Sequence, residues 1–135
     1  MRKIILATHG MLSEAFKSTL ELLYGTVDNI DCFCMTKEKS DTQAKKELNE
    51  LISKSDENEL IVLTDLLGGS PANICAEMIM RGHKFRLLAG LNLPMLLTLE
   101  TIIDSDMSID QIINKIQAEG KDGVKNINKI IQEAN

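Results

Sequence analysis

Glu59-Leu60-Ile61-Val62-Leu63-Thr64 carries four apolar residues in a row with no polar alternation. A strand with one face in water alternates apolar and polar side chains, so this run reads as a strand covered on both faces, as at the centre of a parallel sheet. The strand ends at Asp65. Leu66-Leu67-Gly68-Gly69 follows, and then Ser70-Pro71, read as an N-cap and a proline at the first helical position, opens a helix to about Arg81-Gly82. Upstream, Lys3-Ile4-Ile5-Leu6-Ala7-Thr8 is a second short apolar run, read as a buried strand that stops at His9-Gly10.

Between these two strands, Leu12, Ala15, Phe16, Thr19, Leu20 and Leu23 recur at three- and four-residue steps, predicting a helix with one apolar stripe that Tyr24-Gly25 closes. Ile30 to Met35 reads as the next strand. Ser40-Asp41-Thr42-Gln43 has the capping-box pattern, and Ala44, Leu48, Leu51 and Ile52 supply the buried face of the helix it opens. Lys84 to Ala89 reads as a fourth strand. Beyond Gly90-Leu91-Asn92-Leu93-Pro94, Met95 to Ile103 reads as helix, and Ser108-Ile109-Asp110-Gln111 caps another. Leu91 to Leu97 has two readings, a core-filling connection or part of a docking rim near the strand ends, of which core filling is preferred. Strands alternating with helices predict right-handed βαβ crossovers, hence an α/β fold: an open, mainly parallel four-stranded sheet in the order 2-1-3-4 with helices on both faces. No linker, repeat or low-complexity stretch interrupts the chain, so residues 1–135 are expected to form a single domain.

Composition excludes several function classes. The charge of −5 comes from 20 acidic and 15 basic residues spread along the chain, with no Lys/Arg block to track a phosphate backbone, so nucleic acid is not an expected partner. No apolar stretch approaches the roughly 20 residues needed to cross a bilayer, and Met1-Arg2-Lys3 is not followed by a signal-peptide core; a cytoplasmic protein is expected. Three Phe, one Tyr and no Trp leave no platform for stacking bases or sugars. Cys32, Cys34 and Cys75 match no zinc or redox spacing and are expected to be reduced; Cys32 and Cys34, two apart on a strand, read as small buried side chains.

Ligands of open parallel sheets bind beyond the carboxyl ends of the strands, where strand order reverses. In the order 2-1-3-4, the first and third strands meet there, bringing Thr8-His9-Gly10 beside Thr64-Asp65. An imidazole titrates near ~6.5 in water and can act as both nucleophile and leaving group at neutral pH. A carboxylate on one ring nitrogen fixes the tautomer, aims the other nitrogen outward and stabilises developing imidazolium character. Gly68-Gly69-Ser70-Pro71 adds a cradle in which bare backbone, free N–H groups and a helix N-terminus favour an anion; Ser70 either donates its hydroxyl or caps its own helix. Each feature alone has an ordinary explanation as a loop histidine, a turn aspartate or a tight loop. Their convergence at one sheet edge points to His9 and Asp65 as catalytic residues and Gly68, Gly69 and Ser70 as phosphate-binding. His83, flanked by Arg81, Gly82 and Lys84, reads as an exposed residue near a helix C-terminus.

Three segments, Ile5-Leu6-Ala7-Thr8-His9-Gly10, Thr64-Asp65-Leu66-Leu67-Gly68-Gly69-Ser70-Pro71-Ala72-Asn73 and Gly90-Leu91-Asn92-Leu93-Pro94-Met95, resemble the signature stretches of mannose/fructose/sorbose-family enzyme IIA components of the sugar phosphotransferase system (PTS). The resemblance runs from residue 3 to about 120. It implies that His9 accepts a phosphoryl group on Nε2 from the phosphocarrier HPr and hands it to a IIB component, with Asp65 orienting the ring. It further implies that Thr64, Gly69 and Ser70 contact or surround the phosphoryl group. It also implies a homodimer that exchanges a C-terminal strand, for which Gly123 to Ile127 is the candidate, and a separate IIB partner that links the chain to membrane IIC/IID components. Transfer between two histidines needs no metal, and no cofactor is expected. Two alternatives are a IIA-like regulatory module and a histidine phosphatase; the latter class carries an arginine directly before the histidine, where this chain has Thr8.

Overall fold

Leu60, Ile61, Val62 and Leu63 are each wholly buried, as their unbroken apolar run requires. They belong to β3 (Leu60–Thr64), entered through a 3-10 turn at Glu57–Glu59, in a computed structural model that describes residues 1–134. Around β3 stand β1 (Lys3–His9), α1 (Leu12–Tyr24), β2 (Ile30–Met35), α2 (Asp41–Ser53), α3 (Ser70–Met80), β4 (Arg86–Ala89), α4 (Leu93–Ile102), α5 (Ile109–Asp122) and α6 (Ile127–Glu133). The strands are parallel and lie in the order β2-β1-β3-β4, as the sequence predicts.

Successive strand residues face opposite sides of a sheet, and two cores result. Ile4, Leu6, Ile61 and Leu63 pack with Leu20 of α1, Leu96 and Leu99 of α4 and Ile112 and Ile116 of α5. Ile5, Ala7, Leu60 and Val62 pack with Ala44, Leu48 and Ile52 of α2 and Ile74 and Cys75 of α3. Truncating one of the wholly buried Leu or Ile side chains to Ala costs about 2–5 kcal/mol, a large part of a small domain's stability. Leu91, Met95 and Leu96 are core residues, in keeping with the reading of 91–97.

Three local readings are corrected. In α1, only Leu20 of the predicted stripe is buried and Phe16 partly so, while Leu12, Ala15, Thr19 and Leu23 are exposed. Ser13 takes the inward place instead: its N–H donates to Thr8 Oγ1 at 2.7 Å and its hydroxyl to the Phe33 carbonyl at 3.0 Å. Strand β4 begins at Arg86 rather than Lys84, because the Lys84 N–H donates to the Glu57 carboxylate at 2.8 Å instead of entering a ladder. His83 is half-buried rather than simply exposed, its Nδ1 lying 3.1 Å from that same carboxylate. Residues 123–127 form no strand in the single chain: Gly123 ends α5, and Asn126 caps α6 by accepting the Lys129 N–H.

Candidate active site

β1 and β3 are paired side by side in register Ala7↔Thr64, so His9, the last residue of β1, and Asp65, the residue after β3, emerge together at the carboxyl edge where strand order reverses. Oδ2 of Asp65 accepts two hydrogen bonds from one residue, the His9 backbone N–H at 3.1 Å and the ring Nδ1–H at 3.0 Å. One carboxylate oxygen thus fixes both the end of β1 and the rotation of the ring. With Nδ1 donating, Nε2 holds the lone pair. The Asp65 side chain is 12% exposed and that of His9 43%, so a largely buried carboxylate steers an open imidazole.

The loop after Asp65 lies against the ring. Gly68 turns it with φ +87°, a conformation costly for any residue with a Cβ. Asn73 donates its Nδ2–H to the Gly68 carbonyl at 3.1 Å, tying the loop to the first turn of α3. A Cβ on Gly69 would stand 2.4 Å from His9 Cε1, so the glycine gives the ring its seat. Gly69, not Ser70, is the N-cap residue of α3; Ser70 is the first helical residue, exposed, and its hydroxyl makes no hydrogen bond among the described residues. Not needed for capping, that hydroxyl is available together with the unpaired N–H groups of the first turn. The helix dipole adds partial positive charge at the same point.

Every residue predicted for the site is therefore at one edge, with a difference of depth. His9, Gly68, Gly69 and Ser70 reach the surface or near it, whereas Thr64 is wholly buried and its hydroxyl has no protein partner. Asp65 Oδ1 is likewise buried without a partner. Among the described residues no cation pairs with any of these beyond His9 itself: Arg2 binds Glu59, Arg81 binds Glu77 and Arg86 binds Asp110. That argues against the phosphatase alternative, which calls for an arginine beside the histidine. Among the described residues no group of three or more His, Cys, Asp or Glu side chains is arranged to hold a metal ion.

Two features escaped the sequence reading. Ser13 and Thr8 form the buried link beneath the end of β1, which only the β1–α1 packing reveals. Leu66 and Leu67, in the loop that follows Asp65, and Met11, two residues after His9, are exposed at 54%, 85% and 62%, an apolar apron on the site's own loops. Their type was visible in the sequence, but their exposure depends on the loop's path.

Fold and site together define an open parallel α/β protein presenting one carboxylate-held histidine, with a free Nε2, to an anion-favouring loop. The chain belongs to the EIIA-man family, described as PTS system fructose IIA component, whose model matches residues 3–117. The mannose-specific PTS EIIAB component of Escherichia coli K12 is 28% identical over 123 residues, which are 90% of this chain and 38% of that relative. The chain thus spans well under half the length of that relative. The sorbose-specific PTS EIIA component of Lacticaseibacillus casei is 28% identical over 114 residues, covering 84% of this chain and 82% of the relative. The crystal structure of the PTS component EIIA from Streptococcus agalactiae is similar with a TM-score of 0.87 at 27% identity, over 96% of this chain and 99% of the other.

Proposed function

We propose that this chain is the phosphocarrier of a sugar-transporting phosphotransferase system: His9 accepts a phosphoryl group from phospho-HPr and passes it to a IIB component. The observation that carries this reading is the 3.0 Å contact between His9 Nδ1 and Asp65, with the ring seated on Gly69 at the start of α3. The Nε2 lone pair attacks phosphorus in line, the P–N bond to the donor's imidazole breaks, and the donor ring leaves with that electron pair. The bound phosphoryl group then faces the Gly68-Gly69-Ser70 backbone and the Ser70 hydroxyl, with Thr64 beneath. Asp65 keeps the Nδ1 proton and offsets the positive charge that develops on the ring. The reverse sequence of bond changes delivers the group to the acceptor.

The openness of the site favours protein partners. A phosphatase for small molecules encloses its substrate, whereas His9 stands open and the loops that carry it and Asp65 expose Leu66, Leu67 and Met11, apolar surface suited to burial against a partner. The same reading places the protein in the cytoplasm and, through IIB, beside membrane IIC/IID components; no helix among the described residues is long and apolar enough to cross a membrane. A homodimer is part of the proposal, with Val124, Ile127 and Ile130 exposed for such a contact. The test is a relay assay: radiolabel is driven from phosphoenolpyruvate through enzyme I and HPr onto this chain, and a mannose-family IIB is then added. Label should load and then drain to IIB; label that never leaves phospho-HPr refutes the reading.

A further inference from the structure

A cavity of about 460 Å³ opens between α2 and α3, lined from the carboxyl-terminal half of α3 and so remote from Gly69 and His9 at that helix's start. α3 has 11 residues, so at ~1.5 Å per residue its two ends stand about 16 Å apart. Ile74, itself buried, and Met78 give the cleft an apolar floor. Lys45 and Lys46 enter from α2 and Arg81 from the end of α3, so three cations meet one carboxylate, Glu77. This sign is opposite to that of the chain as a whole, which carries −5.

The one carboxylate does not satisfy the cations. Glu77 is 2.8 Å from Arg81 but only within 3.8 Å of Lys45, and Lys46 has no ion-pair partner among the described residues. Exposed pairs of this kind contribute little to stability, so the cations can turn toward another anion at small cost. The carboxyl end of α3 is the negative end of its dipole, which disfavours an anion there; Arg81 at the C-cap offsets this, and the lysines come from a different helix. A volume within the range of small-molecule sites, an apolar floor and converging cations together select a ligand with an apolar body and a dianionic head.

We propose that the α2/α3 cleft binds a small phosphomonoester, at a site separate from the phosphoryl group assigned to His9 and independent of that assignment. The test uses phenyl phosphate as probe, with inorganic phosphate and phenol as its two halves, and reads the methyl resonances of Ile74 and Met78 by NMR in the full chain. Phenyl phosphate should shift both saturably, inorganic phosphate should bind at least about tenfold more weakly, and phenol should not saturate. Lys45→Gln and Arg81→Gln, both on exposed side chains, should keep the remaining spectrum and each weaken phenyl phosphate roughly tenfold. Unmoved Ile74 and Met78 methyls, equal affinity for inorganic phosphate, indifference to the two substitutions, or shifts confined to residues 65–70 overturn the proposal. So does saturation by a hexaglutamate peptide where phenyl phosphate gives none, which would make the cleft a protein-docking surface.

Discussion

The β-carbon that Gly69 lacks would lie 2.4 Å from Cε1 of His9 and 3.2 Å from its Nε2. The backbone of Gly69 has φ −79°, open to any residue, so glycine stands there for the sake of the ring and not of the turn. Gly69→Ala should therefore push the imidazole off Asp65 and slow phosphoryl transfer about 10–100-fold while leaving the melting temperature nearly unchanged. Gly68→Ala makes the opposite case: at φ +87° it should cost about 1–2 kcal/mol of stability. Transfer assays and thermal melts on the two variants separate these effects, and a Gly69→Ala protein of normal rate would remove the ring from that seat.

Asp65 serves strand and ring through one oxygen, and two substitutions separate the services. Asp65→Asn keeps an acceptor for the His9 backbone N–H but loses the charge, so stability should hold while transfer falls about a hundredfold or more. Asp65→Ala should show the same loss of rate and in addition about 1–3 kcal/mol of destabilisation from the stranded N–H. Rapid-quench transfer from phospho-HPr and urea melts measure both, and an unchanged rate in either variant contradicts the orienting role.

Much of this site was legible because it follows from strand order. The unbroken Leu60–Leu63 run indicated a central parallel strand, and once β1 is its neighbour, His9 and Asp65 must emerge together. The seat on Gly69 was not legible, since a GGSP segment says nothing about which side chain lies against it. The facing of α1 was not legible either. Spacing shows that a helix is amphipathic, but Ser13 turns inward because Thr8 and Phe33, on two different strands, supply its hydrogen bonds. At the tail, Gly123-Val124-Lys125 reads as extended, and what spacing did not reveal is the short helix beyond it, which Asn126 caps by accepting the Lys129 N–H.

The apolar apron separates docking from chemistry. Leu67 is 85% exposed, so Leu67→Asp should change stability by less than about 0.5 kcal/mol. It should raise the KM for phospho-HPr roughly tenfold with little change in kcat, as expected for a residue that touches the partner and not the phosphorus. Steady-state transfer kinetics decide, and a kcat defect with unaltered KM would place Leu67 in the chemistry.

Cys32 and Cys75 should be poor nucleophiles. Burial pushes the Cys75 thiol up to about 12; burial, with Glu14 adding to it, pushes Cys32 up to about 11. Because the thiolate is the reactive form, Cys75 in the native protein at neutral pH should alkylate about a thousandfold more slowly than in guanidinium, and faster as pH rises. Iodoacetamide labelling mapped by mass spectrometry tests this; comparable native and unfolded rates at Cys75 would contradict its burial.

The most direct test of the central claim is phosphorus NMR of the chain after phosphorylation by enzyme I, HPr and phosphoenolpyruvate. A single acid-labile, base-stable phosphohistidine is expected, with the shift of an Nε2 adduct, present in His83→Ala and absent in His9→Ala. A signal from an Nδ1 adduct, or one that survives His9→Ala, would contradict a ring whose Nδ1 is held by Asp65 and whose Nε2 alone is offered to phosphorus.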